Sequence, residues 1–495
     1  MSICPRNAKI GKDSFREETD RLKNPAFKKW AAFLTVSVGT FMSTVDGSIL
    51  NVALPTIMGD LSASLPAIQW VVIAYLLTVI IFLMSFGRLA DIRGLMTINT
   101  VGLALFTGGS LLCAFSANVA SLIIFRGIQG LGASMIMACS PAILTTVFPP
   151  AELGRIMGLL GTVVGVGLTS GPGLGGLILS YFSWRAIFYV NIPIGIVGIL
   201  FSWKFVPRQP GDTLAPDFDL VGAALMALAL AGFLLTMSMG GRWGWYNYKT
   251  LVSLGAALLF CPLFIHWERR NAAPVVDLSL FRVRTFRLGI AAAVCLFMAH
   301  FISFFLMPFY LTKVLTRPIE RVGLLLMVAP LTSMMISPLA GTLSDRIGAR
   351  YLTTLGMIVT AGGLLLAAPF TDLTRDSEVA LSMAIIGLGA ALFQPPNTSS
   401  IMKAVPLQRL GIASGLVAAA RNLGMIIGIS LAGALFTLGF GSSGVSENLV
   451  DFQPDKLPLF LAGWKTAFLS GVGIALVGAF LTFFRKRVYP KEISS

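Results

Sequence analysis

Long apolar runs separated by short polar stretches dominate this chain. Fourteen such runs follow one another, each with about 18 or more predominantly apolar residues, which is long enough for an α-helix to cross a membrane. The pattern therefore predicts an all-α polytopic membrane protein. The predicted spans are Trp30–Pro55, Ile68–Phe86, Leu95–Phe115, Val119–Phe148, Ile156–Phe182, Ala186–Trp203, Leu220–Met239, Leu251–Trp267, Leu288–Leu311, Val322–Leu343, Tyr351–Phe370, Val379–Met402, Leu410–Phe440 and Phe460–Phe484.

Composition agrees with the pattern. Of 495 residues, 56% are hydrophobic and 12% are charged, about half the charged share of an ordinary soluble domain. This argues against a soluble enzyme, a nucleic-acid binder and a disordered scaffold. The net charge is +15, and most Lys and Arg outside the spans lie on the side that holds both termini, which the positive-inside rule assigns to the cytoplasm. The polar first 29 residues lack an apolar signal core, so the first span is expected to stay uncleaved.

Cysteine and histidine point to neither a disulfide framework nor a metal centre. Four of the five cysteines lie inside apolar runs, where a free thiol behaves as a small core residue. The two histidines, His266 and His300, are far apart in the sequence and suggest no metal cluster. No metal and no cofactor are expected.

An internal repeat divides the chain. Gly87–Gly94 aligns with Gly341–Gly348 at an offset of 254 residues, and Pro141 aligns with Pro395 at the same offset. This predicts two parallel six-span halves with two spans inserted between them, and a substrate site where the halves meet. The predicted segments are an N-terminal tail 1–29, an N-terminal bundle 30–207, an insertion 208–286, a C-terminal bundle 287–485 and a tail 486–495.

Three motifs give the chain a specific resemblance. They are Asp46–Pro55 in span 1, Trp70 with Tyr75 in span 2, and Trp184–Pro193 before span 6. Together they resemble the fourteen-span drug:proton antiporters of the major facilitator superfamily, although Ala186 stands where that family usually has a second tryptophan. The resemblance implies the major facilitator fold, location in the cytoplasmic membrane, no enzymatic activity, contact with membrane lipid and a monomer. It does not decide whether a periplasmic adaptor takes part.

The repeated loops resemble the family's gating loop after span 2. Glycine permits a tight turn there, and Asp91 can accept hydrogen bonds from the amides at a nearby helix N-terminus. In the first copy Ile92, Leu95 and Met96 replace basic residues of the family pattern. An ordinary topogenic loop is the alternative. The gating candidates are Gly87, Asp91 and Gly94 in the first copy and Gly341, Asp345, Arg346 and Gly348 in the second.

Span 5 carries a glycine pattern that resembles the motif of antiporters in this family. Gly167, Gly171 and Gly175 recur every four residues and therefore line one helix face, where another backbone can approach closely. Pro172 removes a backbone donor and permits a kink, and Gly176 extends the pattern. We expect a tight, bendable seam with a role in conformational change. Generic helix packing is the alternative.

Four ionisable residues lie inside the predicted spans: Asp46, Arg126, His300 and Arg421. Such residues are costly in a membrane and are candidates for function. Asp46 lies about 13 Å from the outer end of span 1 and Arg126 about 10 Å from the outer end of span 4, so the two can pair. Because proton binding can switch the charge of such a carboxylate, we expect Asp46 and Arg126 to couple protons to transport. A static ion pair is the alternative.

The remaining candidates could line a substrate cavity. Gln129 lies three residues after Arg126, on the same helix face. Gln394 and Asn397 flank two prolines that predict an interruption of span 12, with a simple kink as the alternative. His300 can instead be a structural histidine, and Arg421 can instead serve packing or reach towards the membrane surface.

The main hypothesis is proton-coupled export of small amphipathic molecules or drugs by alternating access. The sequence contains no G-x-x-x-x-G-K-[ST] motif for ATP binding. An importer or symporter of a small organic solute on the same fold remains an alternative, as does a non-transporting receptor or scaffold. The ionisable residues are too scattered for an intramembrane enzyme. Because the one acid in the spans, Asp46, is already paired with Arg126, we expect neutral, zwitterionic, anionic or at most monocationic compounds to be exported better than dications. Arg421 is the expected anion contact.

Overall fold

The structure, a computed structural model, describes residues 25–205, 219–271, 278–405, 410–441 and 456–485. Within these ranges it consists of helices and has no strand. Fourteen helices are long and apolar enough to cross a membrane, if α6 is counted with the short turn before it, which confirms the predicted spans. They are α1 Pro25–Asp60, α2 Leu65–Arg93, α3 Leu95–Ala114, α4 Val119–Val147, α5 Pro150–Tyr181, α6 Asn191–Phe205, α7 Leu220–Trp243, α8 Tyr248–Arg270, α9 Arg284–Phe309, α10 Ile319–Ile347, α11 Ala349–Ala367, α12 Asp376–Lys403, α13 Leu410–Gly441 and α14 Leu457–Phe483.

Local sequence signals fix several helix ends. Asn118 caps α4 with its side-chain oxygen 2.8 Å from the amide nitrogen of Ser121, completing a reciprocal capping box. Gly94 separates α2 from α3 and has φ +92°, and Gly348 separates α10 from α11 with the same φ. Residues other than glycine rarely adopt this backbone conformation. The two repeated loops therefore end in the tight glycine turns that the sequence predicts.

The helices group into two halves and an inserted hairpin. Helices α1 to α6 pack on one another, as do α9 to α14. Helices α7 and α8 form the hairpin, in which the Thr236 and Ser253 hydroxyls lie 2.9 Å apart. Helix α7 also packs on α2 of the first half and α13 of the second, whereas α8 is largely exposed.

The two halves meet on one side of the membrane and separate on the other. We refer to the side where α1 begins as the terminal side and to the opposite side as the far side. Helix α5 runs from the terminal side to the far side, and α10 runs back. A Cβ added at Gly176 would lie 3.2 Å from the Cα of Gly323, so the two helices touch in their far-side parts. At Gly161 and Gly165, nearer the terminal side, an added Cβ would meet nothing within 4 Å. The cleft between the halves thus opens to the terminal side.

Aromatic rings fill the far-side core of the second half. The Trp464 ring stacks on Phe468 with centroids 4.1 Å apart and on Tyr310 with centroids 4.6 Å apart. The Trp464 indole also donates a hydrogen bond to the Ala367 carbonyl oxygen at 2.9 Å. These buried rings join one continuous apolar core that includes residues of both halves.

Candidate functional site

A buried ion pair lies at the centre of the first half. Asp46 on α1 and Arg126 on α4 are 1% and 0% exposed. Their Oδ2 and Nη1 atoms are 2.5 Å apart. The pairing agrees with the similar depths of the two residues in the predicted spans. A charge buried this deeply is stable only when its partner is also present.

Two amide side chains complete the hydrogen bonding of the carboxylate. The Gln129 amide nitrogen donates to Asp46 Oδ1 at 2.8 Å, and its oxygen accepts from Arg126 Nη1 at 2.6 Å. The Asn191 amide nitrogen on α6 donates to Asp46 Oδ1 at 3.0 Å. Three donors from two other helices therefore converge on Asp46. Gln129 belongs to this network rather than to an open cavity.

Helix α2 holds the other side of Arg126, and α3 joins the network through Gln129. Its Nε donates to the Val71 carbonyl oxygen at 3.1 Å, and its guanidinium lies 4.3 Å above the centroid of the Tyr75 ring. The Ser110 hydroxyl accepts a hydrogen bond from the Gln129 amide at 2.8 Å. Five helices of the first half thus share one network of charged and polar groups. Any change in its hydrogen bonding acts on the packing of all five.

In its described residues, the second half has buried polar groups but no comparable network. His300 on α9 and Arg421 on α13 lie within the helical bundle, and neither makes an ion pair among the described residues. In that part of the chain, His300 Nδ1 and Arg421 Nε are buried and have no hydrogen-bond partner. The His300 ring lies beside Phe304, with centroids 6.4 Å apart. His300 can therefore still donate or accept a hydrogen bond, and Arg421 can still donate one.

Helix α12 differs from the predicted interruption. It runs unbroken from Asp376 to Lys403 through Pro395 and Pro396, because a helix can absorb a proline by losing one hydrogen bond and bending. Gln394 is half-buried. Asn397 is buried and holds the helix ends together: its amide nitrogen donates to the Gly289 carbonyl oxygen at 3.1 Å, and its oxygen accepts from Arg485 Nη1 at 2.8 Å.

Arg485, just beyond α14, is a buried cation without a described acidic partner. Its side chain is 1% exposed, and Nε and Nη2 have no hydrogen-bond partner in the described ranges. Burial lowers the pKa of Arg485 to about 10. The structure therefore places Asn397 in a structural tie between α9, α12 and α14.

The glycines of α5 face two different helices. At Gly171 and Gly175 an added Cβ would crowd α1, at Ser48 and at Ile49 respectively. At Gly173 it would crowd Met327 of α10, and Gly176 faces the same helix. Ser48 also donates a hydrogen bond to the Gly167 carbonyl oxygen at 3.2 Å. Gly167, Gly171 and Gly175 thus line one face, as predicted, and it packs on α1 within the first half. Gly173 and Gly176 form a second face between the halves. Pro172 joins the second, because its carbonyl oxygen faces Gly323.

The loop candidates lie at the terminal side. An added Cβ at Gly87 or Gly341 would meet open space, and Arg346 is exposed. The side chains of Asp91 and Asp345 lie outside the described residues. On the far side, an ion pair joins the end of α1 to the segment before α6: Arg185 Nη1 lies 3.1 Å from Asp60 Oδ2.

Sequence reasoning missed three members of the Asp46 network: Tyr75, Ser110 and Asn191. Tyr75 and Asn191 stand inside the motifs that carry the family resemblance, so those motifs were an available signal. Ser110 is one of many serines in apolar runs and has no distinguishing signal. Among the described residues, no group of three His, Cys, Asp or Glu side chains could hold a metal ion.

Comparison with known proteins assigns similarity over nearly the whole chain. The model of the Major Facilitator Superfamily matches residues 36–429 and 289–495. The riboflavin transporter RibZ of Clostridioides difficile is 35% identical over 475 residues, which are 94% of this chain and 100% of that protein. The multidrug resistance protein Stp of Mycobacterium tuberculosis is 34% identical over 403 residues, 81% of this chain and 75% of that protein.

Other relatives and the solved structures agree. The multidrug export protein EmrB of Haemophilus influenzae is 31% identical over 400 residues, 80% of this chain and 78% of that protein. A bacterial homolog of the human lysosomal transporter Spinster, solved in an inward-facing and unoccupied conformation, superposes with a TM-score of 0.68. It shares 15% identity and covers 94% of this chain and 99% of its own. The likeness to this solved structure concerns the fold alone.

Proposed function

Since this chain belongs to the Major Facilitator Superfamily, we propose that it exports small amphipathic molecules across the cytoplasmic membrane in exchange for protons. In this proposal both termini are cytoplasmic, so the terminal side is the cytoplasmic side and the cleft faces inward. The observation that carries the proposal is the convergence of Arg126, Gln129 and Asn191 on the buried Asp46 carboxylate. The relative EmrB, which is named a multidrug export protein, supports the direction of transport.

Proton binding to Asp46 would necessarily rearrange this network. A carboxylate only accepts hydrogen bonds, whereas a protonated carboxyl also donates one. The O–H of protonated Asp46 would meet groups that are themselves donors, and the attraction to Arg126 would weaken. The hydrogen bonds that join helices α1, α4 and α6 at Asp46 would then weaken or break. A proton arriving from outside thus favours one arrangement of the bundle, and its release to the cytoplasm favours the other.

Replacing Asp46 with asparagine tests the coupling. Asp46→Asn removes the titrating group but preserves shape, so we expect no gradient-driven accumulation of ethidium in acid-interior inside-out vesicles, while downhill exchange remains. Asp60→Asn is the matched control, because this partly exposed carboxylate pairs with Arg185 at the far end of the same helix. Accumulation by Asp46→Asn at more than half the wild-type level would reject the assignment.

The same network supports a proposal on substrate charge. Because three donors already occupy Asp46, it cannot also compensate a dication, and each uncompensated buried charge costs several kcal/mol. Arg421 is half-buried, and its buried Nε has no hydrogen-bond partner among the residues that the structure describes, which favours an acceptor-bearing substrate. We expect neutral, zwitterionic, anionic or monocationic compounds to be exported better than dications. Efflux of matched mono- and dicationic antiseptics and an acidic drug decides this, and preferred export of the dication contradicts it.

Riboflavin transport is a second candidate function. The relative matched along its whole length is named a riboflavin transporter, which favours a vitamin or a similar ring compound as substrate. Importer or symporter action would move such a solute in the opposite direction across the membrane, driven by the same proton gradient. Riboflavin accumulation in inside-out vesicles with an acidic interior supports export, whereas accumulation in right-side-out vesicles with an acidic exterior supports uptake.

A further inference from the structure

The two halves meet along two lateral seams that face lipid. One seam lies between α2 and α13, and the other between α5 and α10. In a cleft that opens to the terminal side, both seams are potential passages from the membrane into the cavity. The surroundings of the two seams are different.

The inserted hairpin covers the α2/α13 seam. Gln69 on α2 donates to the Ile429 carbonyl oxygen on α13 at 2.7 Å, and Ser238 on α7 donates to Gln69 Oε1 at 3.4 Å. Leu234 is fully buried at the same junction. Further along α7 towards the terminal side, one helix face continues to pack on the bundle core through Met226, Ala227, Leu230 and Phe233. Helix α7 therefore lies along the seam from its far-side part into its terminal-side part.

The α5/α10 seam has no such cover in its terminal-side part. Gly323 and Met327 of α10 face α5 in the closed far-side part. Met334 lies seven residues, or about two turns, after Met327 and so continues the same face, yet it is 38% exposed. On α5, Val166 continues the face of Gly173 in the same way and is 40% exposed. The opposing faces have thus separated.

The exposure of α10 extends around the whole helix. None of the ten residues 330–339 is buried, and successive residues point about 100° apart. The side facing the bundle is therefore accessible as well as the side facing lipid. Most side chains of this stretch are apolar, and they include Met334 and Met335, whose flexible thioether chains adapt to ligands of different shape.

We propose that membrane-dissolved amphipathic substrates enter the cavity through the terminal-side part of the α5/α10 seam, and that the inserted hairpin closes the equivalent route at the α2/α13 seam. The proposal rests on the function proposed above. An amphipathic molecule in the cytoplasmic leaflet would pass between Val166 and Met334 without leaving an apolar environment. On the other side it would meet α7 and α8 first.

A steric plug tests this route. Val166→Trp with Met334→Trp should fill the opening and lower ethidium efflux at least fivefold. Leu228→Trp is the matched control, because Leu228 is 48% exposed on the terminal-side part of α7, by the covered seam. We expect its efflux to stay within twofold of wild type. Size-exclusion profiles and thermal melting check that each variant is folded.

Photo-crosslinking provides a direct readout even if the plug prevents folding. With p-benzoylphenylalanine replacing Met334 or Leu228 singly, we expect illumination to attach ethidium at position 334 and not at 228. A large excess of a competing substrate should suppress the attachment of ethidium. Equal attachment at both positions, attachment at 228 alone or attachment at neither overturns the entry route. Absence of ethidium efflux by the wild-type protein would instead overturn the proposed function, and this inference with it.

Discussion

The two halves share a helical plan, but their interiors are built from different chemistry. The offset that aligns Gly87 with Gly341 places His300 at the position of Asp46. Asp46 accepts three hydrogen bonds from charged and amide groups, whereas His300 has an unpartnered Nδ1 among aromatic rings. One half thus contains a group whose charge is held by its neighbours, and the other contains a polar group in a mostly apolar setting. In the proposed function, this difference places proton coupling in the first half and leaves substrate contacts to both.

A second repeated pair sharpens the contrast. Trp184 and Trp464 each precede a phenylalanine by four residues. Trp184 donates to the Asp60 carboxylate at 2.8 Å, while Trp464 donates to a backbone carbonyl and stacks closely on its phenylalanine. The same short pattern therefore supports a polar junction at the membrane surface in one half and a buried aromatic stack in the other.

Removing Arg126 should produce the largest effect. Arg126→Met leaves the Asp46 carboxylate buried without a cation, which costs about 3–5 kcal/mol of folding stability and abolishes uphill transport. Thermal melting in detergent and vesicle transport measure the two effects. Adding Asp46→Asn to Arg126→Met should restore most of the stability but no transport. Equal stability of the single and double variants would show that the pair is not coupled.

Trp464→Ala should cause a large loss of stability with a smaller loss of function. It removes the ring that stacks on Tyr310 and Phe468 and leaves a cavity, for which about 3 kcal/mol is expected. Because the Asp46 network lies in the first half and Trp464 in the second, transport per folded molecule should remain near wild type. Melting temperature and transport normalised to folded protein are the readouts. Complete loss of coupling in folded protein would mean that the two cores do not act separately.

The paired tryptophan to phenylalanine substitutions should have the smallest effects. Trp464→Phe removes one of two hydrogen bonds that the Ala367 carbonyl oxygen accepts, the other coming from the Phe370 amide at 3.2 Å. It also shrinks the stacked ring, so we expect about 1–2 kcal/mol. Trp184→Phe should cost less than about 1 kcal/mol, since Asp60 is partly exposed, keeps Arg185 and can bind water. Denaturation of both variants under one condition gives the difference. A larger cost at Trp184 would reverse the comparison.

Hydrophobic patterning determines most of what the sequence could predict. The fourteen spans, the insertion and the pairing of Asp46 with Arg126 follow from run length, repeat offset and depth in the membrane. Asn191 and Ser110 were missed because they reach Asp46 and Gln129 respectively from other helices, and their contacts depend on helix rotation. Rotation is set by packing, which a single sequence does not report.

Arg485 illustrates the same limit at a helix end. It begins a basic run, Arg485-Lys486-Arg487, which indicates an ordinary cytoplasmic tail. In the structure its guanidinium points into the bundle and donates a hydrogen bond to the side-chain oxygen of Asn397. A charge pattern gives the side of the membrane on which a residue lies, but it does not tell which positively charged side chain folds back.

The inserted hairpin also has a consequence for topological parity. Helices α7 and α8 cross the membrane in opposite directions, so together they return the chain to the side from which it came. The second half is therefore threaded with the same polarity that it would have if it followed the first half directly. Gain or loss of the whole hairpin preserves the parallel relation of the halves, whereas gain or loss of one of its helices would invert every span that follows.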